Sequence, residues 1–496
     1  MRFYNKTFSS FLVSIWFGMF FLTSAWGQVI TTVAGNGSGF YPGDGGLATL
    51  AGLGCPEDIA IDSKGNFYIA DGCNFAIRKV DSAGTITTVV GSTTSSASGY
   101  TGDGGPATLA TLNYPAGLAF DSQNNLFIAD YYNNVVRKVS SASGTLTGAC
   151  TISTVVGVYP GNAYTGDNGP ATLAQLFNPQ NIKFDTLGNL FFSDVENHVI
   201  RKVNTGTGII TTVAGSGVVG SAGDGGPATL ASFQTPEGMF FNALGDLYVA
   251  DDGAFVVRKI ASTAGTITGS CTITTVAGNG TQGFSGDNGP ATLATLSGEV
   301  DGVVVGCGGN IYLADGLNHR IREIYGAPET ITTVIGTGTP GYSNNVAPLS
   351  AQINHPEALA FNPSTGDLYV VNYASSTVQK VVAYCTLTPV PTPSPTPAPT
   401  AVGCGKPIET FCFPNPAVGT SATILCNLCE SSQVSIRVYN TAAELVETYS
   451  FQGNSGANYH PINIGGLSHG IYYYVVQAQG SMGPYKSDTS KFAVVR

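Results

Sequence analysis

Four carboxylates, Glu57, Glu237, Asp301 and Glu357, hold one equivalent position in a segment that recurs six times along this 496-residue chain; Ala116 and Gln180 fill it in the other two copies. Acids gathered from separate repeats into one mouth would concentrate negative potential, drawing in a cation or a basic ligand and repelling polyanions. The plainer alternative is six solvated segment starts that never meet. A second set keeps strict time instead. Asp71/Arg78, Asp130/Arg137, Asp194/Arg201, Asp251/Arg258 and Asp315/Arg322 share one seven-residue spacing. They read either as five ligand sites or as an ion pair that pins register in each repeat. Uniform repetition favours the ion pair, because a working site usually breaks symmetry, and such a pair serves specificity more than stability.

The elements that must position these residues follow from the repeat itself. It runs P-x-G-[LIM]-A-F-D, then G-N-L-Y-I-A-D, a short turn, I-R-K-V and finally I-T-T-V-A-G. The five aspartates and Asn372 in the sixth copy recur at intervals of 57 to 64 residues. Four short apolar runs in a period of this size predict a propeller blade of four antiparallel strands. Runs such as Phe67-Tyr68-Ile69-Ala70 are apolar on both faces, as sheets covered on two sides require. The final run first appears at Ile30, ahead of every other strand, and is missing after the last repeat. Residues 30–35 are therefore expected to complete the sixth blade, closing the ring and removing its open edge. The expected fold is all-β, a six-bladed β-propeller over 28–385. Its inner strands (57–62, 116–121, 180–185, 237–242, 301–306 and 357–362) would line a central channel.

Loops of some 20 to 24 residues link successive blades, and five carry Gly-Asp-[Gly/Asn]-Gly around Asp44, Asp103, Asp167, Asp224 and Asp287. One carboxylate per loop is too few for calcium, whereas Asp and Asn readily close tight turns, so turns are favoured. Pro106, Pro170, Pro227 and Pro290 precede Ala-Thr-Leu-Ala, which predicts one or two helical turns with proline at the first helical position.

Conventional catalytic signatures are lacking. None of the five histidines lies in an inner strand; His355 only precedes one, and one histidine does not make a zinc site. No Gly-x-Ser-x-Gly elbow or phosphate loop occurs. The expectation is no catalytic residue, no metal and no cofactor.

The termini bound the setting. Residues 1–27 join a basic start (Arg2, Lys6), an apolar stretch and Ala25-Trp26-Gly27, the pattern of a signal peptide too short for a membrane anchor. No other stretch is apolar enough to cross a membrane, so a secreted or cell-surface location is expected, with no transmembrane segment in the mature chain. Removing the signal takes two cations and no acid, moving the net charge from −11 to −13. An acidic chain whose basic residues are locked into a repeat excludes nucleic acid as a partner. Ten cysteines in an exported chain of this length indicate a few local disulfides. Cys55 and Cys73 should lie on one face and pair. Cys150 and Cys271 belong to blades that are not neighbours and should not. Cys404, Cys412, Cys426 and Cys429 cluster in the tail, where disulfides are favoured over zinc or redox chemistry at the single C-x-x-C. Proline at every second position from Pro389 to Pro399 makes 386–403 a semi-rigid polyproline spacer. Beyond it, 404–496 reads as short strands (422–425, 433–439, 447–451, 470–479 and 490–495), an immunoglobulin-like sandwich.

The segments Asp315-Gly316-Leu317-Asn318-His319-Arg320-Ile321-Arg322 and Asp194-Val195-Glu196-Asn197-His198-Val199-Ile200-Arg201 resemble the NHL repeat. The resemblance covers about 350 residues; the sixth copy departs from it, with Asn372 and Gln379 replacing the Asp/Arg pair. In the tail, Phe413-Pro414-Asn415-Pro416, the Val434–Asn440 run and the Gly470–Val475 run are similar to C-terminal sorting domains of the bacterial type IX secretion pathway and to flagellar hook-capping domains. These resemblances imply an exported binding, adhesion or scaffold module with a protein, peptide or glycan ligand, and contact with secretion machinery through 404–496. The competing expectation is a secreted lyase or hydrolase with a metal on the acidic ring at the channel mouth.

Overall fold

The computed structural model describes residues 28–384, apart from 40–42, 93–97, 142–143 and 327–328, together with most of 410–495. The expected signal peptide and the spacer at 386–403 lie outside the described residues. The chain divides into two compact units, 1–387 and 388–496.

In the first unit the blades are antiparallel sheets in chain order. Blade one is Pro56–Ile61, Phe67–Asp71, Ala76–Val80 and Ile86–Val90. Blades two to four repeat the pattern from Pro115, Pro179 and Pro236; blade five adds a two-residue strand at its outer edge. Blade six takes Pro356–Phe361, Leu368–Asn372 and Thr377–Val381 from the end of the unit and Ile30–Ala34 from its start, with Ile30 opposite Val381 and Thr32 opposite Gln379. Each inner strand lies against the inner strands before and after it, and the first meets the last, so the ring is closed. Seams between blades hold the core. One packs Tyr68, Ile77 and Val90 against Leu118, Ile128 and Ile152; another packs Ala34 and Val378 against Ile59 and Ile69.

The inter-blade loops differ from the helical expectation. Each forms a single three-residue 3-10 turn, as at Ala107–Leu109 and Ala171–Leu173, and Pro106 and Pro170 stand just outside it in extended conformation. The turn docks on its small residue: Ala107, Ala171, Ala228 and Ala291 are buried while Leu109, Leu173, Leu230 and Leu293 are exposed.

The repeated arginines are wholly buried, and four of the five meet two acids rather than one. Arg78 lies 3.2 Å from Asp71 and 2.7 Å from Asp44; Arg322 lies 3.1 Å from Asp315 and 2.9 Å from Asp287. Arg137 and Arg201 bind Asp103 and Asp167 at 2.6 Å and stand 3.8 and 3.5 Å from Asp130 and Asp194. The aspartate of each Gly-Asp loop is thus spent inside the scaffold. In the first four blades its second oxygen also accepts an outer-strand amide, as Asp44 does from Thr88 at 3.1 Å and Asp103 from Thr154 at 3.0 Å.

Blade four corrects the expected Asp251/Arg258 pair. Arg258 turns both Nε and Nη2 onto Asp224, and among the described residues Asp251 has no ion-pair partner; its buried Oδ2 accepts no hydrogen bond. The cause is local. Asn74, Asn133 and Asn318 donate to the aspartates of their blades, whereas blade four has Ala254 at that position. In blade six Asn372 donates to Gln379 at 3.1 Å, a neutral version of the same contact.

In the second unit a three-stranded sheet (Thr410–Phe413, Ser421–Leu428, Gly456–Asn463) and a larger one containing Ser432–Tyr439, Leu445–Gly453, Gly470–Gly480 and Ser490–Val495 share one core. Ile424 and Ile462 pack with Val434, Ile436, Tyr474 and Val476. The strand Gly456–Asn463 is absent from the sequence reading because it carries Pro461. It is an edge strand, where proline is tolerated.

Candidate cation site at the channel mouth

Five inner strands open with a register shift: Pro236 pairs with Asp251 and the next partners are Met239 and Val249, so Glu237 and Gly238 bulge from the ladder; in blade five the strand begins only at Val303, after Asp301. Pro56/Ile59 and Pro356/Ala358 bracket the same irregularity around Glu57 and Glu357. A bulge re-aims the side chain it carries, and here it frees the acids from their own sheets. Small residues then let neighbouring strands close in. A Cβ on Gly238 would meet the Asp301 carbonyl oxygen at 1.6 Å, and one on Gly302 would meet that of Glu357 at 2.7 Å.

Glu57, Asp301 and Glu357 line one small cavity of about 30 Å³ together with Asp58, Gln180 and Lys183. Glu237 joins the group through Gln180, whose Nε2 donates to its carboxylate at 3.0 Å, and through a hydrogen bond between the Glu237 and Asp301 carboxyls. All four acids of the sequence reading therefore belong to one cluster. Tyr114 donates to Glu57, and Leu118 N to Asp58 at 2.8 Å. Lys183 Nζ stands 4.0 Å from Asp58 Oδ2 and is the cation facing the cavity.

The electrostatics follow from crowding without counter-charge. Burial first, then neighbouring carboxylates, push Glu57 up to about 8. The same causes push Asp252 up to about 8 and hold Asp301 and Glu357 well above the carboxylate range. Burial lowers Lys183 and His355, favouring the neutral imidazole in the latter.

Two further columns meet these acids, and the sequence reading missed them. The residue before the inner-strand start (Cys55, Tyr114, Asn178, Thr235, Glu299, His355) accepts a backbone hydrogen bond from the residue after the blade aspartate or asparagine (Gly72, Tyr131, Val195, Asp252, Gly316, Tyr373). These columns vary while the rest of the repeat holds constant, which is the signal that could have found them. They divide the mouth. Blades four to six supply Asp252, Glu299 and His355; blades two and six supply Tyr114, Tyr131 and Tyr373. Tyr131 and the exposed Tyr132 meet edge-on at 4.8 Å, and His355 lies 5.1 Å from the Tyr373 ring. In blade one Cys55 and Cys73 form a disulfide, with Cα atoms 5.3 Å apart. Cys150 and Cys271 are free thiols, and the side chains of Cys404, Cys412, Cys426 and Cys429 lie outside the described residues.

His355, set aside in the sequence reading, stands 3.4 Å from Glu357 and 2.5 Å from Glu299. Asp301, His355 and Glu357 bring one ligand atom each within 4.8 Å of one another, and Glu237, Asp252 and Asp301 do the same. This arrangement departs from the expectation of no metal-ligating set.

Comparison with known proteins agrees with the architecture. Residues 30–100 match the Teneurin NHL domain, 112–138 the NHL repeat and 412–486 the Secretion system C-terminal sorting domain. The chain is 27% identical over 285 residues to Protein SUPPRESSOR OF QUENCHING 1, chloroplastic, of Arabidopsis thaliana, covering 55% of this chain and 25% of that protein. It is 30% identical over 251 residues to Teneurin-1 of Homo sapiens, covering 46% and 9%. The chain thus spans a quarter or less of the length of these relatives. Among solved structures, an auxiliary nutrient binding protein from Bacteroides thetaiotaomicron aligns with a TM-score of 0.52 at 16% identity, covering 71% of this chain and 76% of that one. One from Bacteroides ovatus aligns at 0.52 and 15%, covering 72% and 76%. Likeness at this identity speaks for the fold alone. No helix among the described residues is long and apolar enough to cross a membrane.

Proposed function

We propose that this chain, an NHL-repeat propeller exported to the cell surface through its C-terminal sorting domain, is a binding module that captures cationic ligands at its channel mouth. One observation carries the reading. Acids from four blades, repeated nowhere else in the scaffold pattern, converge in a concave mouth beside a tyrosine cluster. Where these acids ionise, from about pH 8 for Glu57 and Asp252, negative potential focused by low-dielectric walls raises the local concentration of positive charge, and the tyrosines add ring faces for a cation to rest on. A second reading, a secreted lyase or hydrolase working at the same mouth, draws on the presence of His355 among these acids.

The test is titration of the full chain with a fluorescent oligolysine peptide, with oligoglutamate as control. Oligolysine should bind, oligoglutamate should not, and salt of about 1 M should abolish binding because screening then acts within about 3 Å. Replacing Glu57, Glu237 and Glu357 with Gln and Asp301 with Asn should remove binding and leave cooperative melting in place. Binding that survives the replacement would refute the assignment.

A further inference from the structure

Resting on the reading of the mouth as the working site, we propose that it holds a divalent transition-metal ion between Asp301, His355 and Glu357, with Glu237 and Asp252 on its far side. The two ligand sets share Asp301, and in each the donor atoms lie within 4.8 Å of one another. Acidic clusters are common without an ion, so the argument rests on what these side chains lack. Glu357 is nine-tenths buried (8% exposed), yet among the described residues it accepts no hydrogen bond; His355 Nε2 stands 3.4 Å away. His355 Nε2 stands between Glu299 Oε2 at 2.5 Å and Glu357 Oε2 at 3.4 Å and makes no aligned hydrogen bond to either. Buried polar atoms are nearly always paired, and orphans gathered at one point mark a missing partner that is positive.

Size and donor chemistry narrow that partner. Asp301 and Glu357 also line the cavity of about 30 Å³, which has room for an ion or one or two waters, while His355, Glu237 and Asp252 stand outside its lining. An imidazole nitrogen beside carboxylate oxygens suits zinc or manganese, whereas calcium takes oxygen donors. Donors around a tetrahedral ion stand roughly 3.4 Å apart for bonds of about 2.1 Å, so the set needs a contraction of about an ångström. The donors come from adjacent blades of a closed ring: Glu357 from an inner strand, His355 and Asp301 from just before one, and Asp252 from a turn. Lys183, the opposing cation, is engaged with Asp58.

Chelator-stripped full chain titrated with Zn2+, Mn2+ and Ca2+, and followed by calorimetry and melting, tests this. One Zn2+ or Mn2+ ion should bind per chain and raise the melting temperature, as any ligand of the native state does. Both should bind at least tenfold tighter than Ca2+. His355→Gln and Asp301→Asn should each weaken binding tenfold or more, while Glu329→Gln, an exposed acid outside the cluster, should change nothing. Both variants remove a donor without adding charge, and their own melting curves establish that they fold. Absence of a bound ion, or equal binding by wild type and His355→Gln, would overturn the proposal. Oligolysine binding by the metal-free chain separates the two readings. If it persists while no metal binds, the ion falls and the cationic mouth stands; if neither binds, both fall.

Discussion

Two populations of buried carboxylates share this propeller, and they are treated in opposite ways. Inside the blades, Asp71, Asp130, Asp194 and Asp315 face a buried arginine and take a backbone amide and, in most cases, an asparagine besides. At the mouth, Glu57, Glu237, Asp301 and Glu357 face one another, a tyrosine hydroxyl and a glutamine. Burial lifts Asp71, Asp130 and Asp194 only to about 6, because partners pull back, while Glu57 rises to about 8. Burying a charge is tolerable when it is matched and costly when it is not. The matched set repeats around the ring and serves the scaffold. The unmatched set occurs once, and a cation held there would offset the cost it imposes, as the proposed binding role requires.

Three experiments probe this contrast, the largest effect first. Removing the arginine from a matched pair leaves two acids uncompensated, so Arg78→Ala should destabilise by about 3–5 kcal/mol in denaturant melts; an unchanged midpoint would reduce the blade charges to ornament. The mouth should respond with the opposite sign. Glu57 releases its proton near 4.5 when unfolded and near 8 when folded. Between those values the native state holds a proton that the unfolded chain has lost, so stability falls as pH rises. The cost is absent below about 4.5 and fully present above about 8. Glu57→Gln should therefore raise the melting temperature by several degrees at pH 8 and leave it unchanged at pH 4; a gain equal at both values would sink the electrostatic account. The smallest effect belongs to blade four, where Ala254→Asn should give Asp251 its missing donor and add about 1 kcal/mol. No gain there would mean that the asparagine in the other blades acts on the turn and not on the acid.

The ring was legible because a period of 57 to 64 residues with four apolar runs leaves few alternatives. The displaced outer strand was legible because one copy of the final run stood ahead of the first repeat and none followed the last. The second acid of each scaffold triad was not read, although Asp44, Asp103, Asp167 and Asp224 each precede their arginine by 34 residues. That offset crosses from one inter-blade loop into the next blade, so local pattern reading passes over it. At the mouth the acidic column was visible and His355 was seen and set aside, but Asp252 and Glu299 were not read. Within its own blade each looks like a turn residue, and only closure of the ring sets them side by side. The tail strand Gly456–Asn463 was hidden for a different reason: edge strands need neither continuous pairing nor β-forming residues.

Closure has a mechanical consequence. The last strand of the propeller, Thr377–Val381, is not at the margin of its sheet, because Ile30–Ala34 flanks it on the outer side and Leu368–Asn372 on the inner. Gln28 Nε2 also donates to Ala383 O at 2.9 Å, so both ends of the unit leave from one place. Were the chain anchored through its tail, drag on the propeller would be a tensile load delivered to that strand. The load cannot peel a free edge; it must break two hydrogen-bonded ladders together. Blade six, where Asn372 and Gln379 replace the Asp/Arg pair, is where such a load would enter.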